Sequence, residues 1–457
     1  MIAQDPVVVI GAGPAGLGAA KVLAEAGLRP VVIDEGRQPG GQIFRMPQSQ
    51  LSRDLKTLYG FDALRAQRFR NDVAAAEPAI DYRPNTLVWA AERGTLHLLR
   101  QKQVTVQTWS RLIIATGATD RIIPMKGWTT PGVFSLGGAQ IALKAEAAMI
   151  GRRVVFVGTG PLLYLVAYQY ARAGAKVCAV LETGKPFDDF TLLPNLLSGG
   201  AVFAKGLYYI AWLRARGIPI STGIMPVEVT ATKGEYTSGL LYIHRGRKKH
   251  LSCDAVAIGY GLKAETQVAD LVGLDFYFDH QHRQWLPVAD TFGRSSSSDV
   301  YMAGDGLAIR GSEIAALSGR VAATTLLDDA GYSHKQDAES DRRAIQRYGR
   351  FRGALDRAFA YPHQLVAGLP DETVVCRCEG LTAGVIRHAV GTTGEADINR
   401  IKAFCRIGMG RCQSRLCGQT AAELIAASAA IDIERVGRLR GQAPIKPVAL
   451  NDLAVRR

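Results

Sequence analysis

The stretch that decides the fold is PVVVIGAGPAGLGAAKVLAEAGLRPVVIDEG, residues 6–36. Val7 to Ile10 make an apolar run of strand length. Gly11, Gly13 and Gly16 follow at G-x-G-x-x-G spacing, and Leu17, Ala20, Leu23 and Ala24 then recur at helical period. A second short strand, Pro30 to Ile33, ends at Asp34. In such a strand–turn–helix–strand unit Gly11 makes the tight turn, Gly13 lets a pyrophosphate approach the backbone, and Gly16 lets helix and strand close up. The opening of the helix, with Pro14 and Ala15, turns free amides and the positive end of the dipole toward the phosphates. Asp34 stands at the distance from Gly11 at which a carboxylate reaches ribose hydroxyls, with Glu35 as its substitute if the register slips.

Working outward, the pattern repeats at GRRVVFVGTGPLLYLVAYQYARAGAKVCAVLE, residues 151–182. Gly158 and Gly160 are kept, but the third glycine position is Leu163, followed by Tyr164. A leucine there does not permit the close helix–strand approach. Glu182 holds the ribose-type position, and Thr183, Gly184 and Lys185 after it supply no arginine pair for a 2′-phosphate. This second unit reads as a degenerate nucleotide fold without a productive NAD(P)H site.

The totals narrow the class. The chain has 457 residues, 47% hydrophobic, enough for two or three domains with their own cores. The net charge of +14 raises nucleic-acid binding, but the basic residues are scattered and lie in no recognition motif. The densest cluster, HRGRKKH at His244–His250, reads as a solvated hairpin turn. An acidic partner or substrate also suits this surface. No run reaches ~18 apolar residues, so no membrane span is expected, and MIAQDPVVVIGAG has no basic leader before a cleavable apolar segment; a cytoplasmic protein is the expectation. His363, His388, His280 and His282 read as surface residues.

Five of the seven cysteines lie within residues 376–417. VVCRCEG (374–380) gives Cys376 and Cys378, and CRIGMGRCQSRLCG (405–418) gives Cys405, Cys412 and Cys417. C-x-C, thirty-three residues, then C-x4-C leaves open an iron–sulfur cluster, zinc or redox thiols. C-x-C is tight for a zinc knuckle, which usually pairs its cysteines two to four residues apart. Residues 1–177 contain no cysteine, which excludes a dithiol of disulfide-reductase type near the first site. Cys178 and Cys253 sit in apolar strand contexts and read as core. Short helices are expected at Thr382–Val390 and Cys417–Ala427, after a surface helix in the arginine-rich stretch that follows Gly331.

Three further segments carry a resemblance. RLIIATGATDR (111–121) ends a strand at Ala115, Thr116 and Gly117. SSDVYMAGDGLAIRGSEIAALSGRVAA (297–323) places Gly304 and Asp305 before a small-residue helix. RQPGGQIFR (37–45) brings Gly41, Gln42 and Arg45. With the first unit these resemble the two-domain flavoprotein reductases of the glutathione and thioredoxin reductase type. The resemblance implies an α/β fold of two Rossmann-like domains, with FAD, or another adenine nucleotide, held at the residues named, and with Asp305 as a helix cap besides. The implied division is a FAD-type domain in two parts, 1–125 and 287–331, around a degenerate domain at 126–286. A linker helix (332–371), a small helical [2Fe-2S] domain (372–430) and a tail (431–457) follow.

The cysteine stretch resembles the [2Fe-2S] domain of the bacterioferritin-associated ferredoxin type, which implies Cys376, Cys378, Cys412 and Cys417 as ligands. Cys405 and Ser414 depart from that pattern, falling where threonine and glycine are commoner. Arg377, Arg411 and Arg415 are candidate donors around the cluster. The combination resembles the α subunit of heteromeric bacterial FAD-dependent amine dehydrogenases, the group of opine oxidase, D-hydroxyproline dehydrogenase and hydrogen cyanide synthase. That implies an electron-transfer subunit working with a FAD-containing β subunit of the glycine/sarcosine oxidase type. Further elements of such a complex are an interfacial FMN and a small third subunit. Opine, hydroxyproline, proline and glycine leave the same marks here, and no acid–base catalyst is named. A self-contained NAD(P)H-dependent reductase and a non-catalytic scaffold are the competing readings.

Overall fold

The computed structural model describes residues 5–47, 56, 59–232 and 235–453. The first four and last four residues of the chain lie outside these. The apolar runs form a five-stranded parallel sheet in the order Val300–Met302, Arg111–Ile114, Val7–Ile10, Val31–Ile33, Asp81–Arg83. Val8, Val9, Leu112, Ile113 and Ile114 are fully buried, as strands covered on both faces require. The helices Pro14–Glu25 and Ser312–Asp329 pack against each other at backbone distance. A Cβ on Gly18 would lie 2.7 Å from the Ala316 carbonyl, and one on Gly319 would lie 1.9 Å from that of Ala15. The small residues of both helices are thus a packing requirement joining two segments some three hundred residues apart.

The chain leaves this sheet through the strand Ala118–Asp120 and returns through Leu262–Ala264, which pair antiparallel as a crossover ribbon. Between them lies a second parallel sheet, in the order Ile220–Ser221, Lys176–Glu182, Arg153–Thr159, Ala255–Tyr260, Val133–Ser135. Each domain also carries a three-stranded antiparallel sheet, one over residues 87–108 and one over 225–252. The second corrects the reading of His244–His250. Only Arg245 and Gly246 form the turn, both at positive φ, while Arg247–Ser252 is an exposed strand whose basic side chains guard a sheet edge.

The helix Ala338–Ala358 leads to the cysteine-rich unit, built from the helices Ala383–Thr393, Ile398–Cys405 and Gly418–Ala429 on a short ladder of Val374–Cys376 with Leu381–Thr382. Both expected helices form, each starting one residue later and running two or three residues further. The unit is no detached bead: Ile386, Ile401 and Leu424 share one continuous core with Val155, Ile258 and Tyr260 of the middle domain. The tail then crosses back to the first domain. Arg438 and Arg440 pair with Asp270, and the buried Ile445 donates its amide to the Trp89 carbonyl at 2.9 Å. Among the described residues no helix is long and apolar enough to cross a membrane.

Candidate functional site

The first glycine loop is closed to side chains at two points and open at a third. Gly11 has φ +103°, and a Cβ on it would lie 2.3 Å from the Ala115 carbonyl; on Gly16 it would lie 1.7 Å from the Gly11 carbonyl. Over Gly13 the nearest atom is Gly41 Cα at 3.8 Å, which leaves room above the backbone where the helix opens at Pro14. Ala15 is buried under Gly304, which has φ +68°. Gly40 donates to the Ala12 carbonyl at 2.8 Å, so the turn with Gly41 and the exposed Gln42 is fastened over the loop. Arg45 follows that turn with its Nε buried and without an acceptor.

Asp34 accepts the amides of Ala12 at 2.5 Å and Gly36 at 2.6 Å and keeps a partly exposed edge. Burial pushes its carboxyl upward against these bonds. Glu35 points away and pairs with Lys446 of the tail. At the crossover, Ala115 donates to the Ile10 carbonyl, Thr116 donates its hydroxyl to the Glu265 carbonyl at 2.6 Å, and Gly117 at φ +73° has open space beside it. Asp305 is buried and accepts the amides of Arg310 at 2.9 Å and Gly311 at 3.3 Å, immediately before the helix Ser312–Asp329. Its capping role is therefore present. The cradle over Gly13, the open flank of Gly117 and the orphaned Arg45 Nε fit an elongated dinucleotide.

The second loop is built the same way and sealed. Leu163 and Glu182 are fully buried, and Tyr164 nearly so. Glu182 accepts the amides of Gly160 at 3.3 Å and Gly184 at 2.9 Å, with the Tyr164 hydroxyl beside it. Burial raises this carboxyl to about 7, despite bonds from Thr159, Gly184, Gly160 and Tyr164. A ribose cannot reach a carboxylate that has no exposed surface.

The structure gathers the four expected ligands. The Cys417 thiol contacts both Cys376 and Cys412, and Cys412 contacts Cys378. Among the described residues no three His, Cys, Asp or Glu side chains surround one point that a single ion would fill. Thiols meeting in pairs suit two irons better than one tetrahedral zinc. Hydrogen bonding from Cys417 lowers Cys376 to about 6 and Cys412 to about 5, and the shared proton raises Cys417 itself. Amides of Cys378, Glu379 and Gly408 also point at the Cys376 sulfur, as anionic sulfur requires. Cys405 stands apart, its thiol donating to the Ile401 carbonyl at 3.3 Å. Ser414 has φ +66°, a left-handed position that glycine takes without strain.

Cys253 is buried as expected; Cys178 is only partly so. Arg377 and Arg411 are exposed. Arg415 is not a surface residue: its guanidinium forks onto Glu265 at 2.7 and 3.1 Å and donates to the carbonyls of Cys412 at 3.4 Å and Ile445 at 2.5 Å. His282 is likewise not a surface residue, being held between Asp279 and Asp356. Glu265 is the residue the sequence reading missed. Its amide donates to Gly117, its carbonyl accepts from Thr116, and its carboxylate holds Arg415 between Cys412 and Cys417.

Fold and site together define a two-domain flavoprotein of the reductase architecture, with its second nucleotide site closed and a cysteine cluster docked at the crossover. Residues 5–323 match the pyridine nucleotide-disulphide oxidoreductase family, and the chain belongs to it. Residues 374–427 match the BFD-like [2Fe-2S] binding domain. The cofactors are accordingly FAD and a [2Fe-2S] cluster. The chain is 34% identical to the OoxA-type first subunit of opine oxidase from Rhizobium meliloti, over 98% of this chain and 87% of that one. It is 33% identical to hydrogen cyanide synthase subunit HcnB of Pseudomonas protegens, over 96% of each. Among solved structures, L-proline dehydrogenase from P. horikoshii superposes with a TM-score of 0.72 at 18% identity, covering 99% of this chain and 79% of that chain. The protein is a subunit of a multi-subunit flavin-dependent dehydrogenase.

Proposed function

We propose that this chain is the electron-transfer subunit of a complex that oxidises the C–N bond of an opine or of an amino acid such as hydroxyproline or proline. The observation that carries this reading is Glu265. One residue joins the loop Ala115–Gly117 to Arg415, which lies between two cluster cysteines, so both cofactor sites share one rigid junction. In this reading Gly11, Gly13, Pro14, Ala15, Gly16, Asp34, Gly41, Gln42, Arg45, Ala115, Thr116, Gly117, Gly304 and Asp305 hold FAD or another adenine nucleotide. Cys376, Cys378, Cys412 and Cys417 hold the cluster. A flavin accepts electrons in pairs and releases them singly, and a [2Fe-2S] cluster carries one at a time.

The chain's own residues position and insulate. The Gly40–Gly41 turn and Arg45 cover the loop, the Glu265–Arg415 pair fixes the junction, and the core around Ile386 and Leu424 keeps water from the sulfurs. The closed second site supplies no NAD(P)H, so reducing equivalents come from a partner. The names of the relatives support a β subunit of the glycine/sarcosine oxidase type with its own FAD and, as further components, an interfacial FMN and a small third subunit.

The test is anaerobic EPR of the chain purified with such a partner, before and after addition of each candidate amine. The expected result is a two-iron signal that appears with substrate and stays absent with NADH. Flavin bleaching by NADH alone, or zinc in place of iron, refutes the reading.

A further inference from the structure

Lys263 lies in the crossover strand Leu262–Ala264, opposite Thr119 in the register. It therefore shares a face of the ribbon with Thr119 and Arg121. That face sits deep in the molecule, clamped to the cluster loop. Glu265, two residues on, holds Arg415; Gln267 donates to the Gln413 carbonyl at 2.5 Å; and Thr420 donates to the Ile122 carbonyl at 3.0 Å.

Lys263 makes no ion pair or hydrogen bond among the described residues. The nearby carboxylates are already engaged: Glu265 with Arg415, Glu423 with Arg283, and Asp279 and Asp356 with His282. What remains in reach of its ammonium is the sulfur of Cys412 and Cys417, while Arg121 opposes it with a second cation. An unpaired buried ammonium is costly. A two-iron cluster with four thiolates offsets that cost, since it is an anion and gains one further negative charge with each electron taken up.

We propose that Lys263 is a positioning residue for the cluster's charge: its buried cation favours the reduced state and sets the potential at which electrons leave the flavin. The inference rests on the proposed cluster ligation. At an effective permittivity of about 20, a unit charge within roughly 12 Å changes an equilibrium at least about tenfold. Arg415 bounds the separation within that distance, reaching Glu265 at 2.7 Å and the Cys412 carbonyl at 3.4 Å.

The experiment is a potentiometric EPR titration of the loaded complex with Lys263→Gln, Lys263→Arg and, as an exposed control beside Cys412, Arg411→Gln. Lys263→Gln is expected to disfavour reduction about tenfold, a one-electron shift of about 59 mV to lower potential. Lys263→Arg and Arg411→Gln are expected to stay near the unsubstituted value. A glutamine variant with the signal intact and the potential unmoved overturns this inference alone, as does an equal shift from Arg411→Gln. No two-iron signal in the unsubstituted complex overturns it together with the proposed function. If the glutamine variant loads no cluster, Lys263→Met is titrated in its place with the same two outcomes.

Discussion

Raising the pH should release the helix Ala338–Ala358 from the body of the protein, and replacing His282 should remove that dependence. His282 lies on the hairpin of Phe276–Asp279 with Gln284–Pro287, its Nδ1 3.2 Å from Asp279 and its Nε2 3.0 Å from Asp356 on the helix. Arg352 braces Asp356 from the same helix at 2.6 Å. Burial alone would lower the imidazole's pKa, but hydrogen bonds and charge from both carboxylates outweigh it and raise His282 from 6.5 to about 9. Only the imidazolium donates from both ring nitrogens, so deprotonation turns a lone pair toward a carboxylate. The folded pKa lies above the unfolded one. The stabilisation is therefore complete below about pH 6.5 and is lost as the pH rises through about 9. A shift of this size corresponds to about 3 kcal/mol, roughly a hundredfold in an opening equilibrium. Hydrogen exchange of amides 338–358, corrected for intrinsic rate, should show protection falling by about that factor between pH 6.5 and 10. In His282→Gln protection should be low and flat over the same range. Protection that is independent of pH in the parent, or equally dependent on it in the variant, would falsify this reasoning.

Gly16→Ala sets a methyl carbon 1.7 Å from the Gly11 carbonyl, an overlap that only separation of helix and strand relieves, so flavin content should fall at least about tenfold by absorbance while iron is retained. Cys412→Ser removes the thiol most easily ionised of the four and should abolish the two-iron EPR signal with flavin bound as before. Glu182 has its folded pKa raised from 4.5 to about 7, so the native state loses stability as the pH climbs through that window. Glu182→Gln should therefore be about 3 kcal/mol more stable than the parent at pH 8 and no more stable at pH 4.5, measured by denaturant unfolding at each pH.

The parts of this molecule that sequence announces are those set by local backbone chemistry. Gly11 and Gly16 are legible because no other residue fits against the backbone within a Cβ's radius, and the apolar strands beside them complete the context. The four ligand cysteines are legible because their spacing is unusual and thiols are scarce elsewhere. Leu163 announced a closed site, and the closure is there, with Glu182 buried beneath it. Residues whose role depends on a distant segment were not legible. His282 looks like any loop histidine until the helix Ala338–Ala358 brings Asp356 to it from 74 positions away. Glu35 appears a fair ribose ligand until the tail returns Lys446 to it. Glu265 belongs to no motif, yet its amide, carbonyl and carboxylate each meet a different element of the junction, one of them 150 residues along the chain. A glycine loop and a cysteine pair each name a cofactor, but the joining of the two cofactors rests on side chains whose identity is constrained only after the crossover ribbon has folded against the cluster loop.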